Sequence, residues 1–222
     1  MLLLDHCLIA LLKHFDRIPP HCFSCLPQDV RCLIVSRFAE WHTLTDNHLK
    51  VLISSGDSTW VTTLSLTGCR QFTPRGIDSL QSFLNLRSLS ITGPLFPSRG
   101  MFSSELKILR VVGGYPQASA KAFKSFMVGS VPVSLAWLEL IDCPGVDDSV
   151  IDAISLICGK DLRGLSLIGN PNVSEGRIAK LIGVREMPNL VSLKVDCSCS
   201  PEKLGAALTA PSSIKLTELQ IN

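Results

Sequence analysis

Pairs of aliphatic residues separated by one position recur seven times along this chain. Each pair shows the alternation of a half-buried β-strand, in which every second side chain faces the core. Successive pairs begin 20 to 29 residues apart. The pairs are Leu64/Leu66, Leu89/Ile91, Leu109/Val111, Leu138/Leu140, Leu165/Leu167, Leu193/Val195 and Leu219/Ile221. The pattern therefore predicts seven short strands at nearly regular intervals.

A second apolar set follows most of these pairs, after a turn marked by Gly, Pro, Asn or Cys. Its members are three or four residues apart, as in Val150 and Ile154, which is the spacing of a short helix. The period of about 26 residues resembles that of leucine-rich repeats. No single unit can bury both of its apolar faces, so the units must stack. We therefore predict an α/β fold: a leucine-rich-repeat solenoid of about seven strand–turn–helix units behind an all-helical N-terminal module.

One turn position of the repeat is occupied by a small polar or thiol side chain. Cys69, Cys143 and Asn170 each lie five residues after the first leucine of their unit. At such a position the side chain is expected to turn inward and bond the backbone of the turn. Cys197 falls one position early, which predicts a different turn in the sixth unit.

The residues before the first strand contain three apolar segments with helical spacing. Residues 2–16 place Leu3, Leu4, Cys7, Leu11 and Phe15 on one face of a helix, and Pro19-Pro20 ends it. A second helix follows Leu26-Pro27 and carries Val30, Leu33, Ile34 and Phe38. The third is capped by Thr45 or Asp46 and resembles the helical half of a repeat, so it would cap the solenoid. The predicted domains are a helical adaptor-binding module over 1–43 and the solenoid over 44–222.

Two short motifs in this helical segment resemble known adaptor-binding boxes. The spacing Leu3-x-x-x-Cys7-x-x-x-Leu11 resembles the elongin-C-binding box, and Leu26-Pro27-x-x-Val30 resembles a cullin box. Together with the repeats behind them, they resemble the ZYG/ZER family of ubiquitin-ligase substrate receptors. The resemblance implies that Leu3, Cys7 and Leu11 dock elongin B/C and that Leu26, Pro27 and Val30 meet a cullin. The armadillo repeats of that family are absent from this sequence.

Two other interpretations use the same residues. The stretch from Leu26 to Phe38 also resembles the start of an F-box, with Trp60 as its closing tryptophan, which would imply a different adaptor. A plain leucine-rich-repeat scaffold without any ligase role would use the first helix only as a cap. Exposure of Leu3, Cys7 and Leu11 would favour docking, and burial would favour the scaffold.

The predicted substrate surface lies on the concave face, where the residues between the core leucines point outward. The middle repeats place an apolar patch with two charges there: Ile108, Arg110, Val112, Trp137, Glu139, Ile141 and Ile168. Exposed apolar patches with Trp and Arg commonly mark protein-binding surfaces. The sequence thus predicts a protein substrate.

Composition narrows the class of function further. A net charge of +2 and the absence of basic runs argue against nucleic acid or membrane partners. Nine cysteines, mostly single and within apolar segments, indicate reduced thiols in the cytoplasm or nucleus. The cluster His21-Cys22-x-x-Cys25 with Cys32 lacks the second ligand pair of a zinc site. No catalytic motif is present, so we expect neither an enzyme nor a cofactor.

The sequence reaches residue 222 inside a strand pattern, at Leu219-Gln220-Ile221. Since a solenoid needs a polar cap, we expect either a C-terminally truncated chain or an open edge strand.

Overall fold

The seven predicted strands form one parallel sheet in the order in which they occur along the chain. The computed structural model describes residues 3–56, 58–92, 102–113, 120–132, 134–183, 186–196, 206, 209 and 216–221. The strands are β1 Thr63–Ser65, β2 Ser88–Thr92, β3 Ile108–Val112, β4 Trp137–Ile141, β5 Gly164–Leu167, β6 Ser192–Val195 and β7 Glu218–Ile221. Neighbouring strands in space are thus neighbours in sequence, as in a stacked repeat.

The strand register follows the first leucine of each pair. Leu64 lies opposite Leu89, and the alignment continues through Leu109, Leu138, Leu165 and Leu193 to Leu219. From β1 to β6 these leucines are at most 2% exposed. A slip by one residue would turn each strand's apolar side chains to solvent, so burial fixes the register. The repeat prediction is confirmed.

The described residues also form α-helices before and between the strands. They are α1 Leu3–His14, α2 Pro20–Ser24, α3 Gln28–Glu40, α4 Asp46–Ser54, α5 Pro74–Asp78, α6 Ala120–Ser130, α7 Asp148–Ile157 and α8 Glu175–Gly183. Buried residues from α1 through β6 form one contiguous apolar cluster. The helices before β1 therefore share a core with the repeats.

The helix α4 stacks on the repeats as their own helices stack on one another. Its first residue, Asp46, accepts hydrogen bonds from the backbone N–H (3.1 Å) and hydroxyl (2.5 Å) of Thr73, the N-cap of α5. Asp148, the first residue of α7, accepts the same two bonds from Ser174, just before α8. Thr45 is the N-cap of α4, in a capping box with His48. As expected from the sequence, α4 has the position of a repeat helix, while α3 packs beside β1.

The first helix differs from the prediction in the face that it buries. Leu8 is 6% exposed and Phe15 is 1% exposed, whereas Cys7 faces solvent. The helix ends at His14, and Phe15 begins a short 3-10 turn. Pro20 does not only break a helix: it begins α2, because proline's fixed φ suits a first helical turn.

The polar turn position behaves as predicted. The buried Asn170 Oδ1 accepts from the Cys143 N–H at 3.1 Å, and its Nδ2 donates to the carbonyls of Leu140 at 2.7 Å and Ile168 at 3.2 Å. The Cys143 thiol turns inward to the Val111 carbonyl, and burial raises the pKa of Cys143 to about 12. The Cys143 side chain is therefore part of the turn, and Cys69 is likewise buried. Cys197 lies outside the described residues.

Candidate interaction surfaces

An aromatic cluster packs the end of α1, the predicted adaptor-binding helix, against the helices that follow it. The Phe15 ring, just after α1, lies 5.5 Å from the Phe23 ring of α2 and 5.1 Å from the Phe38 ring of α3, both edge-on. Offset and edge-on ring pairs add about 0.5–1.5 kcal/mol beyond their area burial. Phe15 also lies 5.0 Å from the buried His48 ring of α4. The cluster therefore fixes α1 against the three helices that follow it.

The three residues of the predicted elongin stripe have different surroundings. Cys7 is exposed, and Leu11 is half-buried and packs against the core. Leu3 is the first residue of α1, and its side chain lies outside the described part of the structure. Successive helical residues are about 100° apart, so Cys7 borders the face that Leu8 buries. Cys7 and Leu11 thus lie along the boundary between the core and solvent.

The predicted cullin-contact residues lie at the beginning of α3. Leu26 is half-buried against the core, Pro27 is exposed and Val30 is 36% exposed. The core face of α3 begins one turn later, with Ile34 and Val35. The first turn of α3 therefore leaves Pro27 and Val30 accessible.

The predicted substrate residues lie together on the sheet surface that faces away from the helices, which we call the open face. Ile108, Arg110 and Val112 of β3 are in register with Trp137, Glu139 and Ile141 of β4. Ile108 is 40% exposed and Trp137 is 39% exposed, while Ile168 just after β5 is half-buried. The alternation of the strands thus places the whole predicted set on one surface.

The Trp137 ring lies directly over the neighbouring strand at Gly164. A Cβ atom built on Gly164 would fall 1.9 Å from Trp137 Cε3. Gly164 is in register with Trp137, so only a residue without a side chain lets the ring cover β5. The sequence reasoning missed this pairing, although the signal was present: an outward glycine in register with a tryptophan.

The charges on the open face compensate one another. Arg110 Nε lies 3.3 Å from Glu139 Oε2 across β3 and β4. Lys194 Nζ lies 3.2 Å from Glu218, whose other oxygen accepts from the Ser192 hydroxyl at 2.6 Å. The Ser192 hydrogen bond and Lys194 lower the pKa of the Glu218 carboxyl. Around these two ion pairs the surface therefore offers apolar area, and the paired charges do not favour a highly charged ligand.

A shallow depression of about 50 Å³ lies beside Trp137. It is lined by Trp137, Leu138, Glu139, Gly164, Leu165, Ser166, Ser192 and Lys194. Pockets for small molecules usually hold about 300–1,000 Å³. The depression therefore suits one side chain of a protein partner better than a small-molecule substrate.

The cysteine cluster around α2 does not form a metal site in the described residues. Cys22 and Cys25 are exposed, Cys32 is half-buried, and no three His, Cys, Asp or Glu side chains in the described ranges group closely enough to hold a metal ion. Trp60, the tryptophan of the F-box interpretation, is buried, and the Arg31 guanidinium lies 4.9 Å from its ring centre. None of the described helices is both long and apolar enough to cross a bilayer.

We expect Gly164→Val to displace the Trp137 ring, because the new Cβ occupies the space of the indole. Overpacking of this kind costs about 1–3 kcal/mol. The check is the indole N–H signal of Trp137 in a ¹H–¹⁵N spectrum, assigned with Trp137→Phe, together with urea denaturation. Ser88→Val, at an outward position of β2 in register with Ile108, is the matched control. An unmoved indole signal in Gly164→Val would contradict the stacking of the ring on β5.

Comparison with known proteins supports the fold. No family model matches the chain, and no curated protein sequence matches it. Among solved structures, a chain of the crystal structure of the Rad7 and Elc1 complex in yeast is similar, with a TM-score of 0.57 and 16% sequence identity. The similarity covers 100% of this chain and 68% of that chain. The chain thus shares its fold with a protein chain that was crystallised in a complex.

Proposed function

We propose that this protein is a non-enzymatic substrate receptor of a cullin–RING ubiquitin ligase. In this proposal α1 docks elongin B/C through Leu3, Cys7 and Leu11, and a cullin meets Leu26, Pro27 and Val30. The open face binds the protein substrate. The receptor would act in the cytoplasm or nucleus and would raise the substrate's effective concentration near the ubiquitin carrier without performing chemistry itself.

The observation that carries this proposal is that α1 has one set of residues buried in the core and another residue exposed to solvent. Leu8 and the following Phe15 anchor the helix in the core, which leaves Cys7 free at the surface. A capping helix would need only the anchors. A small, solvent-facing residue between two leucines allows a partner's backbone to approach closely. The exposed Pro27 and Val30 supply a second accessible segment on α3.

Two further observations support a receptor. The Ile108 and Trp137 side chains expose apolar area at the middle of a rigid sheet, where tryptophan is a common anchor of protein interfaces. The structurally similar chain comes from a complex of Rad7 with Elc1, so this fold occurs in a protein that assembles with a second one.

The plain scaffold is the second candidate, and one observation favours it. Leu11 is half-buried against the core, as the inner side of a capping helix would be. The two candidates differ in whether Cys7 contacts a partner.

Co-purification with elongin B/C separates them. We expect elongin B/C to capture the wild-type chain and not the Leu3→Ala/Cys7→Phe double variant, because the phenyl ring keeps elongin from approaching α1 closely. Circular dichroism establishes that both chains are folded. Failure of the folded wild type to bind elongin B/C would refute the elongin assignment, and the F-box adaptor would then be the next bait.

A further inference from the structure

Arg31 of α3 carries a positive charge that no acidic side chain in the described part of the protein neutralises. Its Nε is buried and has no hydrogen-bond acceptor. The side chain as a whole is half-buried and Nε is its enclosed nitrogen, so the two Nη groups reach solvent. Arg37, on the same helix, is instead paired with Glu40 at 2.7 Å. Arg31 is therefore a surface cation without a counterion.

The Trp60 ring fixes the position of this guanidinium. The Arg31 Cζ lies 4.9 Å from the centre of the Trp60 ring, within the ~6 Å reach of a cation–π contact. Trp60 is 7% exposed, and its ring lies 6.2 Å from the buried Phe23 ring of α2, so it is itself part of the core. An aromatic ring attracts a cation but carries no net charge. The contact therefore orients Arg31 and leaves its charge uncompensated.

Two accessible aliphatic side chains lie beside Arg31. Pro27, just before α3, is exposed, and Val30 in the first turn is 36% exposed. The Arg31 N–H donates to the Pro27 carbonyl at 3.1 Å, as expected for residues four apart in a helix. Residues three and four apart lie on the same side of a helix, so Pro27, Val30 and Arg31 share one surface. We call these three residues the α3 patch.

The chemistry of the α3 patch identifies its ligand. The planar fork of a guanidinium matches the two oxygens of a carboxylate, which it can bind through two parallel hydrogen bonds. Asp29, two residues before Arg31, is exposed and adds a negative charge to the same turn, which disfavours a doubly charged phosphate more than a singly charged carboxylate. The apolar surface of Pro27 and Val30 suits an aliphatic side chain next to that carboxylate.

We propose that the α3 patch binds an acidic residue of a partner protein together with a neighbouring aliphatic residue. The carboxylate pairs end-on with the two Nη groups of Arg31, and the aliphatic side chain packs on Pro27 and Val30. The identity of the partner rests on the proposed function, in which a cullin contacts this turn. The carboxylate site itself can be tested on the full chain alone.

The test is a titration of the ¹⁵N-labelled full chain with the capped dipeptides N-acetyl-Leu-Glu-amide and N-acetyl-Leu-Gln-amide at millimolar concentrations and constant ionic strength. We expect the Arg31 Nε–H and Val30 amide signals to shift saturably with the glutamate dipeptide. The glutamine dipeptide has the same shape without the charge and should leave both signals in place, because a neutral amide cannot form the charge-assisted pair.

Two variants complete the test, with the Val30 amide signal as the common reporter. Arg31→Met removes the cation and should weaken binding of the glutamate dipeptide about tenfold or more. Arg37→Met is the matched control, since it removes a cation of the same helix that already has a carboxylate partner, and it should bind as the wild type does.

The proposal is overturned if the glutamate dipeptide shifts neither reporter, or if the glutamine dipeptide binds equally well. It is also overturned if folded Arg31→Met binds the glutamate dipeptide as tightly as Arg37→Met, or if inorganic phosphate binds the patch more tightly than the dipeptide does. Failure of the proposed function is a separate result, because it is seen as absence of elongin B/C capture by the folded wild type.

Discussion

Replacing Asn170 with leucine should lower the free energy of unfolding by about 4 kcal/mol, since each buried polar group left unpaired costs about 1–3 kcal/mol. The side chain is 2% exposed and bonds three backbone groups, the Cys143 N–H and the carbonyls of Leu140 and Ile168. The Ile168 carbonyl also accepts from the Asp142 N–H at 2.9 Å, so the groups that lose their side-chain partner without this second bond are the Cys143 N–H and the Leu140 carbonyl. Leucine has the same branching as asparagine and a larger volume, so the substitution removes the hydrogen bonds without leaving a cavity. Urea denaturation followed by circular dichroism measures it.

Asn172→Leu is the matched control for this prediction. Asn172 lies two residues further along the chain, is exposed, and donates one hydrogen bond to the Pro144 carbonyl at 2.6 Å. An exposed change of this kind is expected to alter stability by no more than about 0.5 kcal/mol. Equal effects of the two substitutions would show that Asn170 does not hold the turns of adjacent repeats together.

Replacing Arg177 with methionine should lower the free energy of unfolding by about 2 kcal/mol. This is less than the roughly 3–5 kcal/mol lost when a fully buried pair is broken, because both acidic partners are partly exposed. The Arg177 side chain is 5% exposed, and its Nη2 donates to Glu186 Oε2 at 2.5 Å. Its Nε lies 2.9 Å from Asp152 Oδ1, although its N–H is not directed at that oxygen. The cation thus connects α7, α8 and the segment before β6.

Lys180→Met is the control, since Lys180 contacts the other oxygen of Glu186 at 3.3 Å but is 58% exposed. An exposed pair contributes at most about 1 kcal/mol. Urea denaturation of both variants compares how much each of the two cations that contact Glu186 contributes to the free energy of unfolding. A smaller loss for Arg177→Met than for Lys180→Met would contradict the structural role of the buried guanidinium.

The same network predicts a dependence on pH. Burial alone would raise the pKa of Glu186, but the hydrogen bonds and charges of Arg177 and Lys180 outweigh it, so the pKa is lowered. A lowered carboxyl pKa stabilises the fold above the unfolded value of about 4.3, and that contribution is lost as the pH falls through the folded pKa. The stability difference between wild type and Glu186→Gln should therefore be full at neutral pH and shrink below about pH 4.

The sequence predicts the sheet well because one repeated residue fixes its register. The first leucine of each pair is the aligned residue in all six strand pairs, so spacing alone gives order, direction and inward face. The outward residues of β3 and β4 follow from the same alternation.

The buried face of α1 could not be predicted in the same way. Its sequence LLDHCLIALLKH is apolar around most of the helix, so periodicity does not choose between a stripe through Cys7 and one through Leu8. The choice depends on Phe15, whose contacts with Phe23 and Phe38 form only when three helices meet. The Arg177 network has the same origin, because its partners lie on elements that stack only in the folded chain.

The proposed receptor function depends on the docking of elongin B/C by the Leu3/Cys7/Leu11 stripe of α1. Its most direct test is a calorimetric titration of elongin B/C with the wild-type chain, Cys7→Phe and His6→Phe. His6 is also exposed but lies about 100° away from Cys7 around the helix, so the same ring there is the matched control. We expect wild-type affinity for His6→Phe and a loss of about a hundredfold or more for Cys7→Phe. Absence of binding by the folded wild type, or equal affinities of all three proteins, would contradict it.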